Sequence, residues 1–193
     1  MIIYRKQAAS GLYIRKFDRY INADTSGNHS STNDDPSRLE GYLDSSWSGE
    51  GALTQVNRSG VIADLDTHVI CGFFKPDVSG TWQFRIRCDD AGYLWVGSNA
   101  EPLEWNLNKS NAVCDAGGGH AELNGDGSVS LTAGVYYAIK AMVGDRGGGD
   151  AFRIDFSGPA GSSQSAALST TGRDGTGFYF HNPYAPNGYN LNS

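Results

Sequence analysis

Thr81-Trp82-Gln83-Phe84-Arg85-Ile86-Arg87-Cys88-Asp89-Asp90-Ala91-Gly92-Tyr93-Leu94-Trp95-Val96 is the stretch on which the fold turns. Its first half alternates strictly: Trp82, Phe84, Ile86 and Cys88 point to one side of a pleated strand, and Thr81, Gln83, Arg85 and Arg87 to the other. The run ends in two adjacent carboxylates, Asp89 and Asp90. Ala91-Gly92 then leads into a second apolar strand over residues 93–96. Like charges side by side at the end of a buried strand repel each other and resist desolvation. A bound cation is the simplest way to make such a pair favourable.

The same period recurs outward from this point. Val135, Tyr137, Ile139, Ala141 and Val143 form one apolar face, and Phe152, Ile154 and Phe156 another. Residues 69–75 are a continuous apolar run closed by Pro76, the pattern of a buried sandwich strand. A β-rich run lies within residues 11–21, and residues 61–65 read as a further strand. Asn124-Gly125-Asp126-Gly127 reads as a hairpin turn leading into a strand over 128–132, because it lacks the spacing and terminal Glu of a calcium loop. Asp35-Pro36-Ser37-Arg38-Leu39-Glu40 carries a helix-start signature and predicts one short helix. Residues 22–35 and 97–123 read as long loops, and Gly144-Asp145-Arg146-Gly147-Gly148-Gly149-Asp150 as a loop that neither helix nor sheet could use well. Glycine is 26 of 193 residues, about twice ordinary usage, and sits between the short β-rich runs. The fold class is therefore all-β: an antiparallel β-sandwich of jelly-roll or Greek-key type, with long loops and at most one short helix. Residues 1–10 read as an N-terminal arm, 11–158 as the sandwich, and 159–193 as a flexible linker with an aromatic C-terminal segment. That last segment either packs back on the domain or docks on a neighbouring chain.

A net charge of −6 argues against a phosphate-binding surface, so no nucleic-acid partner is expected, whereas divalent cations and neutral sugars are compatible with it. No apolar run approaches the roughly 20 residues that span a bilayer, so no membrane insertion is expected. Met1-Ile2-Ile3 is followed by Tyr4-Arg5-Lys6, with no signal-peptide core, and the expected location is an extracellular surface or a virion. Cys71, Cys88 and Cys114 have no metal-type spacing and read as small core residues. None of His29, His68, His120 and His181 forms an i,i+4 metal pair or sits in a nucleophile motif. Glycoside hydrolysis needs two carboxylates about 5–10 Å apart across a cleft, which adjacent Asp residues sharing one ion do not provide. The chain is not expected to be an enzyme.

Gly72-Phe73-Phe74-Lys75-Pro76, Ser79-Gly80-Thr81-Trp82-Gln83-Phe84, Asp89-Asp90, Tyr93-Leu94-Trp95-Val96-Gly97 and Leu131-Thr132-Ala133-Gly134-Val135-Tyr136-Tyr137, in that order, resemble the anthrax protective-antigen-type β-sandwich domain, in its GLEYA and flocculin adhesin branch. The resemblance spans roughly residues 11–158. It implies a calcium-dependent glycan site in which two consecutive Asp residues, joined by a cis peptide, hold Ca2+ opposite a second loop. Asp89 and Asp90 match the pair. Asp145 matches the side-chain donor of the second loop, with Gly147 and Gly149 as carbonyl donors. Ala91 stands where many relatives have Gly, Cys114 lacks a neighbouring cysteine, and Asp145 stands where flocculins tend to have Asn.

Calcium takes 6–8 oxygen ligands, so two loops leave positions that vicinal hydroxyls of a neutral sugar could fill. Asp89 and Asp90, with Arg146 and Gly148 of the second loop, are the expected contacts to such a glycan, and Trp105 is the candidate for stacking on a sugar face. The first functional expectation is thus a non-catalytic, calcium-dependent carbohydrate-binding module for surface attachment. The alternative is a phage virion structural protein (decoration, neck or fibre) that uses the sandwich as a scaffold. Virion or homo-oligomer contacts would then run through residues 178–193, whose deletion should leave the sandwich folded.

Overall fold

The alternating stretch forms the strand it predicts, and its inward side chains set the core. In the computed structural model, residues 11–21, 35–37, 47–53, 56–59, 62–97, 107–118, 121–164 and 177–180 are described. The strands are β1 (Leu12–Phe17), β2 (Gly49–Leu53), β3 (Asn57–Ser59), β4 (Asp66–Phe74), β5 (Gly80–Asp89), β6 (Ala91–Val96), β7 (Cys114–Asp115), β8 (Leu123–Leu131), β9 (Tyr137–Asp145), β10 (Ala151–Ser157) and β11 (Phe178–Phe180). One sheet has the order β2-β1-β4-β9-β6-β7, with β11 also paired to β4; the other has the order β3-β10-β5-β8. The pairings are antiparallel. Among the described residues there is no α-helix, and none of their helices is long and apolar enough to cross a membrane. The all-β sandwich expected from the sequence is the observed fold.

The sheets meet through the side chains that the periodicity placed inward. Trp82, Phe84, Ile86 and Cys88 of β5, Ile154 and Phe156 of β10, and Ile139, Ala141 and Val143 of β9 belong to one buried cluster. Phe74 of β4 stands at its centre, edge-on to Trp82 at 5.1 Å and to Phe84 and Phe156 at 5.3 Å. Such pairs add about 0.5–1.5 kcal/mol each beyond the area they bury. Trp82 keeps its one polar group satisfied by donating Nε1–H to the Val78 carbonyl at 3.0 Å.

A second buried cluster covers the opposite face of the larger sheet, with Tyr13, Phe17, Val69, Tyr93, Trp95 and Met142 among its members. The strands β6 and β9 are consequently packed on both faces. Cys88 and Cys114 lie in the inter-sheet cluster and Cys71 in the second; all three are buried thiols outside any disulfide, as small core residues should be.

Three expectations need correction. Asn124-Gly125-Asp126-Gly127 is not a hairpin turn but the first half of β8, paired residue for residue with β5. Its glycines serve a close approach. A Cβ on Gly125 would lie 2.5 Å from the Asp115 carbonyl, and one on Gly127 would collide with the Val113 carbonyl. Residues 62–65 are a turn rather than a strand, with Asp66 N–H donating to the Ala63 carbonyl at 3.0 Å. The third concerns the C-terminal segment. β11 pairs with β4, and Phe178 is 1% exposed within the inter-sheet core, 5.5 Å from Phe156. Deleting residues 178–193 would therefore remove a core side chain rather than leave the sandwich intact. Only Asp35–Ser37 of the expected helix is described, with Asp35 accepting from Ser37 N–H at 3.1 Å. Residues 1–10, 38–40 and 181–193 lie outside the described residues.

Candidate functional site

Two crossings between the sheets lie at one end of the sandwich, and hydrogen-bond register brings them together. β5 of the smaller sheet passes to β6 of the larger at Asp89-Asp90, and β9 of the larger passes to β10 of the smaller through residues 146–150. Ala91 pairs with Gly144 on one side, and Asp89 pairs with Ala151 on the other. The second loop is thus held at both ends against the Asp corner. The Asp89–Asp90 peptide is cis. Gly92 completes the corner: a Cβ there would sit 2.8 Å from Cys88 Sγ and 3.2 Å from Ile86 Cδ1, so the bend needs the missing side chain.

Backbone donors then fix the carboxylates. Asp90 N–H donates to the Gly144 carbonyl at 3.0 Å, and Asp90 Oδ2 accepts from Arg146 N–H at 2.6 Å. Asp145 Oδ1 accepts from Gly147 N–H at 2.7 Å. Gly147 and Gly148 have φ of +148° and +105°, which an L side chain rarely adopts, so this loop is built on glycine. Asp90 and Asp145 are 4% and 1% exposed.

Their electrostatics is that of charge short of a partner. Burial, foremost, pushes the Asp145 carboxyl up to about 6; the hydrogen bond from Gly147 opposes this, and Asp90 and Asp64 add to it. Asp89 is raised by burial, then by Asp90 and Asp150. Asp90 is within hydrogen-bonding reach of both Asp89 and Asp145. Two carboxylates at that separation need a proton or a cation between them.

The residues named from the sequence are therefore brought together in large part. Asp89, Asp90, Asp145, Arg146, Gly147, Gly148 and Gly149 share one end of the sandwich, and a Cβ on Gly149 would lie 3.7 Å from Asp89 Oδ2. Trp105 lies outside the described residues. Asp64 and Asp150 were not singled out. Asp150 closes the glycine loop, and its Oδ2 accepts from Ile62 N–H at 2.6 Å. Asp64 lies on the turn before β4, close to Gly147, where no local pattern marks it. Among the described residues, no three His, Cys, Asp or Glu side chains converge as a ready-made metal cage; Asp90 meets Asp89 and Asp145 pairwise instead. The donor set is all oxygen and anionic, which fits calcium in kind, with the remaining positions left to carbonyls, water or ligand.

Residues 66–158 match the GLEYA domain. The GLEYA match begins at the first residue of β4, ends just past β10, and contains both loops of the site. It supports the GLEYA and flocculin adhesin part of the resemblance and not the anthrax protective-antigen label. No curated protein matches the chain. Among solved structures, the chain is similar to the A domain of epithelial adhesin 9 from Candida glabrata in complex with Galβ1-4GlcNAc, at 18% identity and TM-score 0.63, covering 91% of this chain and 90% of that one. It is similar to the epithelial adhesin 6 A domain from the same organism in complex with Galβ1-3GlcNAc, at 17% identity and TM-score 0.63, covering 98% and 95%. A PA14 sugar-binding domain from an RTX adhesin aligns at 17% identity and TM-score 0.58, covering 82% and 93%. At these identities the likeness is one of fold.

Proposed function

We propose that the chain is a calcium-dependent, non-catalytic carbohydrate-binding module that serves surface attachment at an extracellular face. The observation that carries this reading is the pairing of the buried, proton-hungry Asp145 with the Asp89-Asp90 corner at the tips of two locked loops. Asp89, Asp90 and Asp145 would hold the ion, with Gly147 and Gly149 carbonyls in support. Bound there, calcium offers open coordination positions to vicinal hydroxyls of a neutral sugar. Arg146 and Gly148 of the same loop would contact the sugar. The GLEYA match and the fold shared with sugar-complexed adhesin domains support this reading, and the galactosides named for those domains are the first probes to try. No observation favours the virion alternative over it.

The test is a glycan array run on the native chain in calcium and in chelator, alongside Asp89→Ala. Saturable binding lost in both is expected. Binding that survives chelator and the substitution sinks the calcium-bridged mechanism.

A further inference from the structure

The turn over residues 62–65 stands beside the proposed site, and contacts at both of its ends hold it. Ile62 is 6% exposed in the inter-sheet core, and its N–H donates to Asp150 of the glycine loop at 2.6 Å. Asp66 N–H closes the turn on the Ala63 carbonyl at 3.0 Å. The Asp66 carboxylate receives Lys16 Nζ at 2.8 Å, and Asp66 pairs directly with Asp145 across β4 and β9. Ile62 and Asp66 on its two sides are buried and fixed, yet Ala63, Asp64 and Leu65 between them are exposed.

Leu65 is unusual in two independent ways. Its φ of +69° makes it the one non-glycine with positive φ among the described residues. Leucine there costs about 1–2 kcal/mol of backbone energy, which glycine would avoid. The side chain is also 42% exposed, so core packing does not explain its presence. Strain that the surroundings enforce, combined with an exposed apolar side chain, points to a contact made outside the folded chain. Asp64 faces the glycine loop: a Cβ on Gly147 would lie 3.6 Å from Asp64 Oδ2, and that space is left open by glycine.

From these positions we propose that the 62–65 turn is a third wall of the glycan site, with Asp64 accepting a sugar hydroxyl and Leu65 lying under a C–H face of the ring. This rests on the glycan-binding reading above. It narrows the ligand class to pyranoses that present hydroxyls along one edge and an uninterrupted C–H patch beside them. Carboxylate acceptors and apolar contacts together supply orientation and area in such sites.

The experiment compares the native chain with Leu65→Gly and Asp64→Asn on an array of galactose- and mannose-terminated glycans in calcium, with a separate calcium titration and a thermal melt. Glycine suits φ of +69°, so Leu65→Gly should melt no lower than the native chain. It should weaken the strongest array glycan by about 5-fold or more, the factor for one lost rim contact, while calcium affinity stays within about twofold. Asp64→Asn should reorder the glycan preferences. Unchanged glycan strength and order in both variants, with a native chain that binds, overturns the third wall and leaves the glycan reading intact. A native chain that binds no array glycan overturns both. Native binding that persists in chelator but falls in the two variants removes only the calcium bridge.

Discussion

Asp145→Asn isolates the electrostatic burden of the site. Asp145 is 1% exposed, and its carboxyl is raised from 3.8 to about 6, chiefly by burial. An acid raised on folding contributes its stability below the unfolded value, and that contribution is lost as pH rises through the folded value. Without a cation, the native chain should therefore weaken between about pH 4 and pH 6.5, by up to about 3 kcal/mol from this group. Asn keeps the acceptor that Gly147 N–H uses and cannot ionise. In chelator at pH 7.5, Asp145→Asn should be more stable than the native chain by up to that amount, about 6–12 °C in melting midpoint for a chain of this size. Asp89, raised by burial and by Asp90, leaves a residual slope of the same sign. The assay is thermal and urea unfolding at pH 5 and 7.5, each in chelator and in millimolar calcium. Calcium should stabilise the native chain at pH 7.5 and the variant much less. A variant no more stable than the native chain in chelator at pH 7.5, or one with an undiminished pH slope, refutes the reasoning.

Two further outcomes test the fold itself. Gly127→Ala forces a methyl into the Val113 carbonyl and should destabilise the domain by about 1–3 kcal/mol in urea unfolding, whereas a simple turn glycine with free space would tolerate it. Phe178→Ala opens a cavity beside Phe74 and Phe156 and should cost about 3–5 kcal/mol by the same measurement; a change under about 1 kcal/mol would mean that β11 contributes little to the core.

The strands that carry one core face were legible because period-two alternation is a local signal. β5, β9 and β10 each show it, and Trp82 to Cys88, Ile139 to Val143 and Phe152 to Phe156 are buried at the alternate positions, whereas Val135 lies before β9 and is 43% exposed and Tyr137 is half-buried. The Asp pair was legible for an equally local reason, since adjacent charges after an apolar strand are conspicuous in a row of letters. What escaped the sequence depends on distant segments. Gly125 and Gly127 look like turn residues until residues 113–116 are seen to run against them. Residues 62–65 look like a strand with awkward aspartates, because the Asp150 clamp that makes them a turn is 88 residues away. Asp64 joins the site because that clamp and the pairing of Asp66 with Asp145 hold its turn beside the glycine loop. The second apolar layer was hidden in β6, because a strand buried at every position has no alternation to read.

The burial of the three cysteines has an experimental consequence. Burial pushes the Cys71 and Cys114 thiols up to about 12, far from the thiolate form that alkylating reagents need. Native molecules should be silent to such reagents, and each modification should mark an opening event. Cys71 sits in the layer outside the larger sheet, Cys114 at that sheet's edge, and Cys88 beside the Asp corner. Labelling rates at the three positions would thus time the loosening of separate parts of one sandwich without any engineered probe.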